Sequence, residues 1–476
     1  MPGKASSPGA VPHRGAPGSP RRRGLTLLTL CLAVLIAQLD TSVVNLAVRP
    51  IGASFGAGLA ALQWVVDSYN LVYALLLLTG GLLADLYGRR LVFMAGAAVF
   101  TAASLVCAFA PSVPVLIGGR ALAGLGAALL LPASLAIVRV AWTDAKERGR
   151  ALGIWAGCNG LALAIGPTLG GLLINRFGWR SIFLVVVPLG LAALILALPL
   201  VPESSDPRNR QFDAPAQILG GLGLGGVALA AIEAHGSGAI AAAALIGAVL
   251  SLAGFIRVEA RRGAGALVPL DLFRARAFRG AVAATAGLTF GMYGVLFLLP
   301  LAWQSAGRLD PVGAGLALMP MALVFVLVSP SSGALAARLG SRAMTGGGVA
   351  VIGCGLLLIG LTAGSASIVA AEIGLALTGV GMGMATGPLM ELAVGAVAAA
   401  RAGTAAALIN VARMVGATIG VAVLGAIFAS LDHGPEGLRV AMLLGGLVQL
   451  SSAAALWIAT RPTDRQADKR PAACWG

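Results

Sequence analysis

Long apolar stretches with almost no charged residues follow one another along this chain from residue 25 to residue 460. An α-helix rises 1.5 Å per residue, so about 20 apolar residues cross the hydrocarbon layer of a membrane. The chain is therefore expected to be an all-α polytopic membrane protein. Fourteen spans are predicted: 25–48, 62–83, 91–110, 114–138, 151–173, 182–201, 216–234, 239–257, 281–303, 312–335, 344–363, 368–395, 403–430 and 438–460. The seventh and eighth are short and rich in Gly and Ala, and without them the count would be twelve.

Composition supports this class and excludes others. Charged residues make up 11% of the 476 residues, whereas soluble domains carry about a quarter. The 67 glycines suit transmembrane helices, which approach each other closely where side chains are small. So little charge excludes a nucleic-acid-binding protein despite the net charge of +15, and five irregularly spaced cysteines exclude a disulfide framework.

The distribution of Lys and Arg predicts the orientation. With the N-terminus inside, 26 of the 33 basic residues fall on the inner loops and their margins, and five on the outer ones. Arg120 and Arg413 fall inside spans. Basic residues concentrate on cytoplasmic loops, so both termini are expected in the cytoplasm, and the positive charge faces the anionic inner leaflet.

An internal repeat divides the chain. Segment 81–90 shares five of ten residues with segment 333–342, and both follow an even-numbered span. The repeat joins span 2 to span 10, a step of eight, so two extra helices are expected between two six-helix bundles. The predicted regions are a disordered cytoplasmic tail at 1–23, an N-terminal bundle at 24–201, the two extra helices and their flanking loops at 202–280, a C-terminal bundle at 281–460 and a cytoplasmic tail at 461–476.

The loop after span 2 contains a dense set of chemically distinctive residues: Gly81, Asp85, Gly88, Arg89 and Arg90. A glycine just past a helix end permits a tight turn. The acid and the arginines can pair with neighbouring helix ends and close the cytoplasmic face. An ordinary basic loop would explain the arginines but not the glycines or the acid.

This loop resembles motif A of the major facilitator superfamily. Further segments resemble, in order, signatures of its 14-spanning drug:proton antiporters: the first-helix signature at 39–47, motif B at 120–126, the fifth-helix antiporter motif at 166–171, the approach to helix six at 179–188 and the helix-thirteen pattern at 410–420. The resemblance implies the major facilitator fold with two six-helix bundles and two extra central helices. It also implies export by alternating access from a monomer in a bacterial plasma membrane.

The fifth-helix motif consists of Gly166, Pro167, Gly170 and Gly171. Glycines permit close helix packing, and a proline removes a helix hydrogen bond and favours a bend. Packing alone could explain them. The resemblance implies that this helix lies at the interface of the two bundles and controls access.

Charges within the spans are candidates for proton coupling, because a charge at mid-bilayer costs about 2.5–3.5 kcal/mol. Asp40, Asp67 and Arg120 fall at similar depths, roughly 8–12 Å below the outer surface. An Asp40–Arg120 pair is therefore allowed, with Asp40 the first candidate for the proton carrier, Asp67 the next and Glu391 the third. Asp67 could instead be a solvated interfacial residue. Glu391 and Arg413 are candidates for the C-terminal cavity, although Glu391 could be a boundary acid.

The chain has no Walker A segment, no spacing typical of metal ligands and no cluster of catalytic residues. We therefore expect neither an enzyme nor a cofactor, and an ion gradient as the energy source. The expected substrate is a small, amphipathic, cationic drug or antibiotic that is exchanged for protons. The alternatives are an exporter of one endogenous metabolite, an importer and a membrane scaffold without transport.

Overall fold

The structure, a computed structural model, describes residues 20–205, 213–234, 237–263, 266, 268–365, 367–398, 401–431 and 433–461. These residues form α-helices joined by short turns, and one 3-10 helix covers Leu270–Arg274. The N-terminal helices are α1 Pro20–Phe55, α2 Leu59–Tyr87, α3 Arg89–Ala108, α4 Val113–Ala141, α5 Ala145–Phe177, α6 Ser181–Leu184 and α7 Val186–Leu200. Next come α8 Ala214–Ile232 and α9 Gly238–Arg262. The C-terminal helices are α10 Arg276–Ser305, α11 Pro311–Ala317, α12 Met319–Leu339, α13 Ser341–Leu361, α14 Val369–Gly395, α15 Ala402–Ser430 and α16 Pro435–Ala459.

The predicted all-α membrane architecture is confirmed. Within the described residues, 13 helical segments are long and apolar enough to cross a membrane. Two of these are broken helices, α6 with α7 and α11 with α12. The remaining predicted span lies inside α5, whose 33 residues also exceed the length needed. The two weakest predictions, the spans at 216–234 and 239–257, correspond to α8 and α9.

Both predicted tails lie almost entirely outside the described residues. The exceptions are residues 20–23, which form the first turn of α1 instead of belonging to a disordered tail, and Arg461. The helix extends past the predicted apolar stretch at both ends. A polar turn can continue a helix beyond the hydrocarbon layer, so hydropathy marks the membrane-crossing part of a helix and not its ends.

One face of the molecule, here called the terminal face, carries the start of α1 and the end of α16. In the N-terminal bundle, Arg22 Nη2 donates to the Pro199 carbonyl at the end of α7 (2.9 Å). In the C-terminal bundle, Arg342 Nη2 donates to the Trp457 carbonyl at the end of α16 (2.9 Å). The α2–α3 and α12–α13 turns, which contain the two copies of the repeat, therefore lie at the terminal face.

The two bundles meet along a seam formed by α2 with α15, α1 with α10, and α5 with α11 and α12. Near the face opposite the termini, Gln63 Nε2 donates to the carbonyls of Val421 and Ala422 (both 3.0 Å). On the α1–α10 side, Gln304 Nε2 donates to the Leu46 carbonyl (3.1 Å). These buried amides bind backbone atoms of the other bundle, so the seam is closed near the opposite face.

The two extra helices form a hairpin at the edge of the seam. Helix α8 packs on both α2 and α15, and α9 packs on α8. Gln217 of α8 donates to the Leu75 carbonyl and accepts a hydrogen bond from the Thr79 hydroxyl, both on α2. At the terminal face, Arg262 of α9 pairs with the buried Asp213 at the start of α8 (3.1 Å). The hairpin therefore adds to the bundles from the side and leaves the two six-helix units intact.

Candidate functional site

Asp40 and Arg120, predicted at similar depths, lie side by side in the N-terminal bundle. Asp40 Oδ2 of α1 accepts from Arg120 Nη1 of α4 at 2.5 Å, and both side chains are 1% exposed. Arg120 Nε donates to the Val65 carbonyl of α2 at 3.0 Å. The pair thus ties three helices together in a site sealed from solvent. Its part in proton coupling stays a prediction.

Tyr69 completes the site around Arg120, and sequence analysis did not identify it. The guanidinium lies over the Tyr69 ring, 4.5 Å from its centre, where the negative face of the ring attracts a cation. The Tyr69 hydroxyl donates to the Ala37 carbonyl (3.4 Å), and the ring centre is 6.1 Å from that of Tyr73. Nothing in the sequence indicated that an aromatic residue of α2 would rotate toward α4.

Asp67 is buried without a partner. Its side chain is inaccessible, and neither carboxylate oxygen makes a hydrogen bond in the described part of the chain. It lies one helical turn from Gln63, on the same face of α2, and so points toward α15. The neighbouring Asn70 also has unsatisfied amide atoms. Complete burial contradicts the alternative that Asp67 is a solvated interfacial residue.

The turn of motif A requires glycine at position 88. Gly88 has φ +118°, a conformation that side chains disfavour, and a Cβ there would lie 2.8 Å from the Glu203 carboxyl group. Glu203 follows α7 and accepts from the backbone N–H groups of Arg90 and Leu91 (3.0 and 3.1 Å). It therefore caps the start of α3 from the segment that follows α7, a role that sequence analysis missed because the cap is distant along the chain.

The charged residues of the same motif form a local pair. Arg89 Nη2 donates to Asp85 Oδ1 at 2.9 Å, one turn apart across the α2–α3 corner. Arg89 also reaches the segment after α7, where its backbone N–H donates to the Ser204 carbonyl (2.8 Å). Gly81 is half-buried, and a Cβ there would meet only Pro132 at an ordinary 3.6 Å. The predicted contact with a neighbouring helix end is made by the Arg90 side chain, whose Nη1 donates to the Leu198 and Val201 carbonyls at the end of α7 (both 3.4 Å). The role of these residues as a gate stays a prediction.

The first two glycines of the α5 motif fit against α1. A Cβ at Gly166 would lie 1.9 Å from the Ser42 hydroxyl oxygen, and one at Gly170 would lie 2.5 Å from Val43. Both α1 residues belong to the first-helix signature. The two motifs are therefore a matched packing pair within the N-terminal bundle.

The rest of this motif faces the other bundle. A Cβ at Gly171 would lie 2.6 Å from the Pro311 carbonyl oxygen of α11, and one at Gly315 would lie 2.3 Å from the Pro167 carbonyl oxygen. Backbone thus packs on backbone across the seam. This position agrees with the interface that the family resemblance implied for α5.

The two C-terminal candidates lie in different surroundings. Glu391 is exposed in the last turn of α14 and accepts from the Ser341 hydroxyl at the terminal face (2.8 Å). Its placement as a cavity residue is therefore wrong, and the boundary alternative holds, because α14 ends only four residues later. Arg413 of α15 is half-buried on a helix that packs on α2 and α10 in the seam.

Solved structures share this architecture. The structure aligns with the POT family transporter PepTSo with a TM-score of 0.70 over 96% of this chain and 100% of that one, at 15% identity. It aligns with a bacterial homologue of the human lysosomal transporter Spinster, solved inward-facing and unoccupied, with a TM-score of 0.69 over 93% and 98% at 18% identity. At these identities the likeness concerns the fold alone.

Sequence comparison identifies nearer relatives. The chain is 37% identical to the multidrug resistance protein Stp of Mycobacterium tuberculosis over 413 residues, 86% of this chain and 76% of that protein. It is 34% identical to the multidrug efflux pump LfrA of Mycolicibacterium smegmatis, over 87% and 82%. It is 30% identical to the methylenomycin A resistance protein of Streptomyces coelicolor, over 93% and 94%. The family model described as Major Facilitator Superfamily matches residues 30–421. The chain therefore belongs to the major facilitator superfamily and is a multi-pass membrane transporter, not an enzyme.

Proposed function

We propose that this transporter exports amphipathic small molecules across a bacterial plasma membrane in exchange for protons. The observation that carries the proposal is the buried Asp40–Arg120 pair. An ion pair in a sealed site is held by mutual attraction, and protonation of the carboxylate removes that attraction. A proton reaching Asp40 would thus loosen α1 from α4 and α2, which gives the proton gradient a means of acting on helix positions.

Asp67 is the second proton site in this proposal. An ionised carboxylate with no partner within a membrane span costs about 3 kcal/mol, and acids kept at such a cost mark functional sites such as proton relays. Asp67 lies where α2 and α15 close the seam. Opening of the seam toward the opposite face would give this carboxylate access to water and allow it to exchange its proton there.

Export of drugs is supported by the names of the relatives, two of which are called multidrug resistance or efflux proteins and one a methylenomycin A resistance protein. The expectation of a cationic drug relied on a carboxylate that is free to bind a cation. Asp40 is paired with Arg120 in this conformation, so its carboxylate is not free to bind a cation. The proposal therefore specifies an amphipathic substrate, and its charge depends on other residues.

We propose further that the terminal face is cytoplasmic. The support is the 26-to-5 distribution of basic residues, which places their excess at the face that carries the termini. A reporter enzyme fused after Thr460 should be active only in the cytoplasm. Activity of the reporter outside the membrane would overturn this orientation.

The function is tested with purified protein in liposomes that carry an imposed pH gradient. Fluorescent amphipathic dyes of several charges should accumulate on the acidic side, and each transported dye should release protons from the protein in detergent. An ionophore that collapses the gradient should abolish accumulation. If no dye moves with the gradient, drug:proton exchange is wrong. Movement of a single compound out of a broad panel would favour the alternative of a dedicated metabolite exporter.

A further inference from the structure

The hairpin of α8 and α9 is fastened to the N-terminal bundle. The Gln217 amide bonds to the Leu75 carbonyl and the Thr79 hydroxyl, both on α2. Helix α8 also packs on α15, but Gln217 is its one polar side chain, so α8 has no other side chain with which to bond α15. The hairpin is therefore expected to move with α2 when the two bundles separate.

Two glycines extend this contact along α8 and fix its register on α2. A Cβ at Gly221 would lie 3.4 Å from the Leu75 side chain, and a Cβ at Gly225 would lie 3.5 Å from that of Leu71. Each step of four residues forward on α8 thus corresponds to a step of four residues backward on α2. This is the register of two antiparallel helices that pack turn against turn.

Asp67 is the next residue of the same series on α2, one turn beyond Leu71. The register brings it level with Ala228 of α8. One turn farther along α2, Gln63 donates to carbonyls of α15. Asp67 therefore lies where α2, α8 and α15 meet. Its side chain is inaccessible, although neither carboxylate oxygen makes a hydrogen bond within the described residues.

Ala228 faces this meeting point from α8. A Cβ at Gly226 would lie 3.0 Å from both the Ala244 carbonyl oxygen and the Ala248 Cβ, so position 226 packs on α9. Ala228 lies two residues, or about 200°, farther round the helix and so faces the bundles. It is inaccessible. Helix α8 thus stands between Asp67 and the lipid at the edge of the seam.

We infer that α8 is the lipid-side wall of a proton site at Asp67, with Ala228 as the wall residue beside the carboxylate. This inference rests on the proposed function, in which Asp67 exchanges a proton when the seam opens. A carboxylate that faced lipid could not exchange its proton with water. One that met water from both sides of the membrane would let protons pass without substrate. A wall that moves with α2 confines the exchange to conformations in which α15 has separated from α2.

The first test measures whether lipid reaches Asp67. Dicyclohexylcarbodiimide dissolves in lipid and adds to protonated carboxyl groups, and mass spectrometry locates the modified residue. In liposomes Asp67 of the parent protein should be modified slowly. Ala228→Phe places a ring in a filled site and must displace α8, so Asp67 should be modified at least about fivefold faster.

The matched control is Ala243→Phe, which adds the same ring to the same hairpin at an exposed position of α9. It should be modified like the parent. Rapid modification of Asp67 in the parent, or equal rates in the parent and Ala228→Phe, would overturn the inference. Should Ala228→Phe not insert, Gln217→Leu replaces it. This substitution removes the fastening to α2 and should also speed the modification, by a smaller factor, and an unchanged rate would overturn the inference.

The second test measures proton flux through the site. In liposomes with an imposed pH gradient and no substrate, Ala228→Phe should dissipate the gradient faster than the parent. The double variant Ala228→Phe/Asp67→Asn should return to the rate of the parent, because the leak requires the carboxylate. A leak that persists in the double variant would show general damage to the bundle and contradict a wall at Asp67.

These results separate the wall from the proposed function. If dyes accumulate with the gradient but Ala228→Phe changes neither the modification nor the leak, the wall is wrong while drug:proton exchange stands. If no dye moves with the gradient in the parent, the proposed function fails, and the carbodiimide reaction still decides whether α8 covers Asp67.

Discussion

Asp40→Asn is expected to abolish proton-driven transport and the release of protons when substrate is added. Asparagine keeps the shape of the side chain but has no carboxylate to bind a proton or to neutralise Arg120. Loss of one member of a buried ion pair leaves the other uncompensated, at a cost of about 3–5 kcal/mol. The variant should therefore lose stability as well as coupling, which by itself would leave its loss of transport ambiguous.

The double variant Asp40→Asn/Arg120→Gln separates the two effects. It removes both charges, so most of the lost thermal stability should return, while proton-driven transport should stay absent. Exchange of labelled for unlabelled substrate without a gradient should persist in the double variant, because a neutral pair resembles the protonated carrier. Thermal unfolding in detergent measures the recovery of stability. Transport in liposomes measures the loss of proton-driven transport and the persistence of substrate exchange.

Asp67→Asn serves as the comparison for this result. Asp67 has no partner to lose, so this variant should fold as well as the parent. If substrate-induced proton release is undiminished in Asp40→Asn and absent in Asp67→Asn, the exchanged proton belongs to Asp67 and the Asp40–Arg120 pair is structural.

The number of helices and the division into bundles could be predicted because both depend on one-dimensional properties. The length of an apolar stretch sets whether it crosses the membrane, and the repeat at 81–90 and 333–342 indicates which turns are equivalent. Helix ends could not be predicted in the same way. The first turn of α1 is made of basic residues outside the hydrocarbon layer, where hydropathy carries no information about helix formation.

The Asp40–Arg120 contact could be anticipated because depth in the membrane follows from position along a helix. What depth does not give is the rotation of each helix about its axis. Tyr69 beneath Arg120 depends on the rotation of α2, and Glu203 at the start of α3 depends on which helix ends are neighbours. These residues are separated widely in sequence, so no local pattern could bring them together.

Gly171→Val is expected to cause a large loss of transport, because it prevents the two bundles from closing on each other. A Cβ at this position would lie 2.6 Å from the Pro311 carbonyl oxygen and 2.8 Å from the Val312 Cα, both backbone atoms that cannot rotate away. The two bundles must then move apart near the opposite face. Overpacking of this kind costs about 1–3 kcal/mol, which shifts the population by about 5- to 150-fold toward conformations open on that side. Transport should fall by at least the same factor because the cycle requires closure there.

Opening of the seam toward the opposite face is measured with Thr418→Cys, introduced into a variant that has no other cysteines. Thr418 is buried in the seam on α15, between the carbonyls bound by Gln63 and the position of Arg413. A membrane-impermeant thiol reagent added at the opposite face should label it slowly in the otherwise unchanged protein and at least about fivefold faster with Gly171→Val.

Gly157→Val is the matched control for this steric effect, since it adds the same side chain to the same helix at a position where a Cβ would meet nothing within 4 Å. It should label like the parent and transport like the parent. If Gly171→Val also transports normally, the contact between α5 and α11 is not needed for closure, and the α5 motif serves packing within the N-terminal bundle through Gly166 and Gly170. If instead only the Gly171 variant is labelled rapidly and inactive, the close approach of Gly171 to Pro311 is a contact that must form and break in each transport cycle.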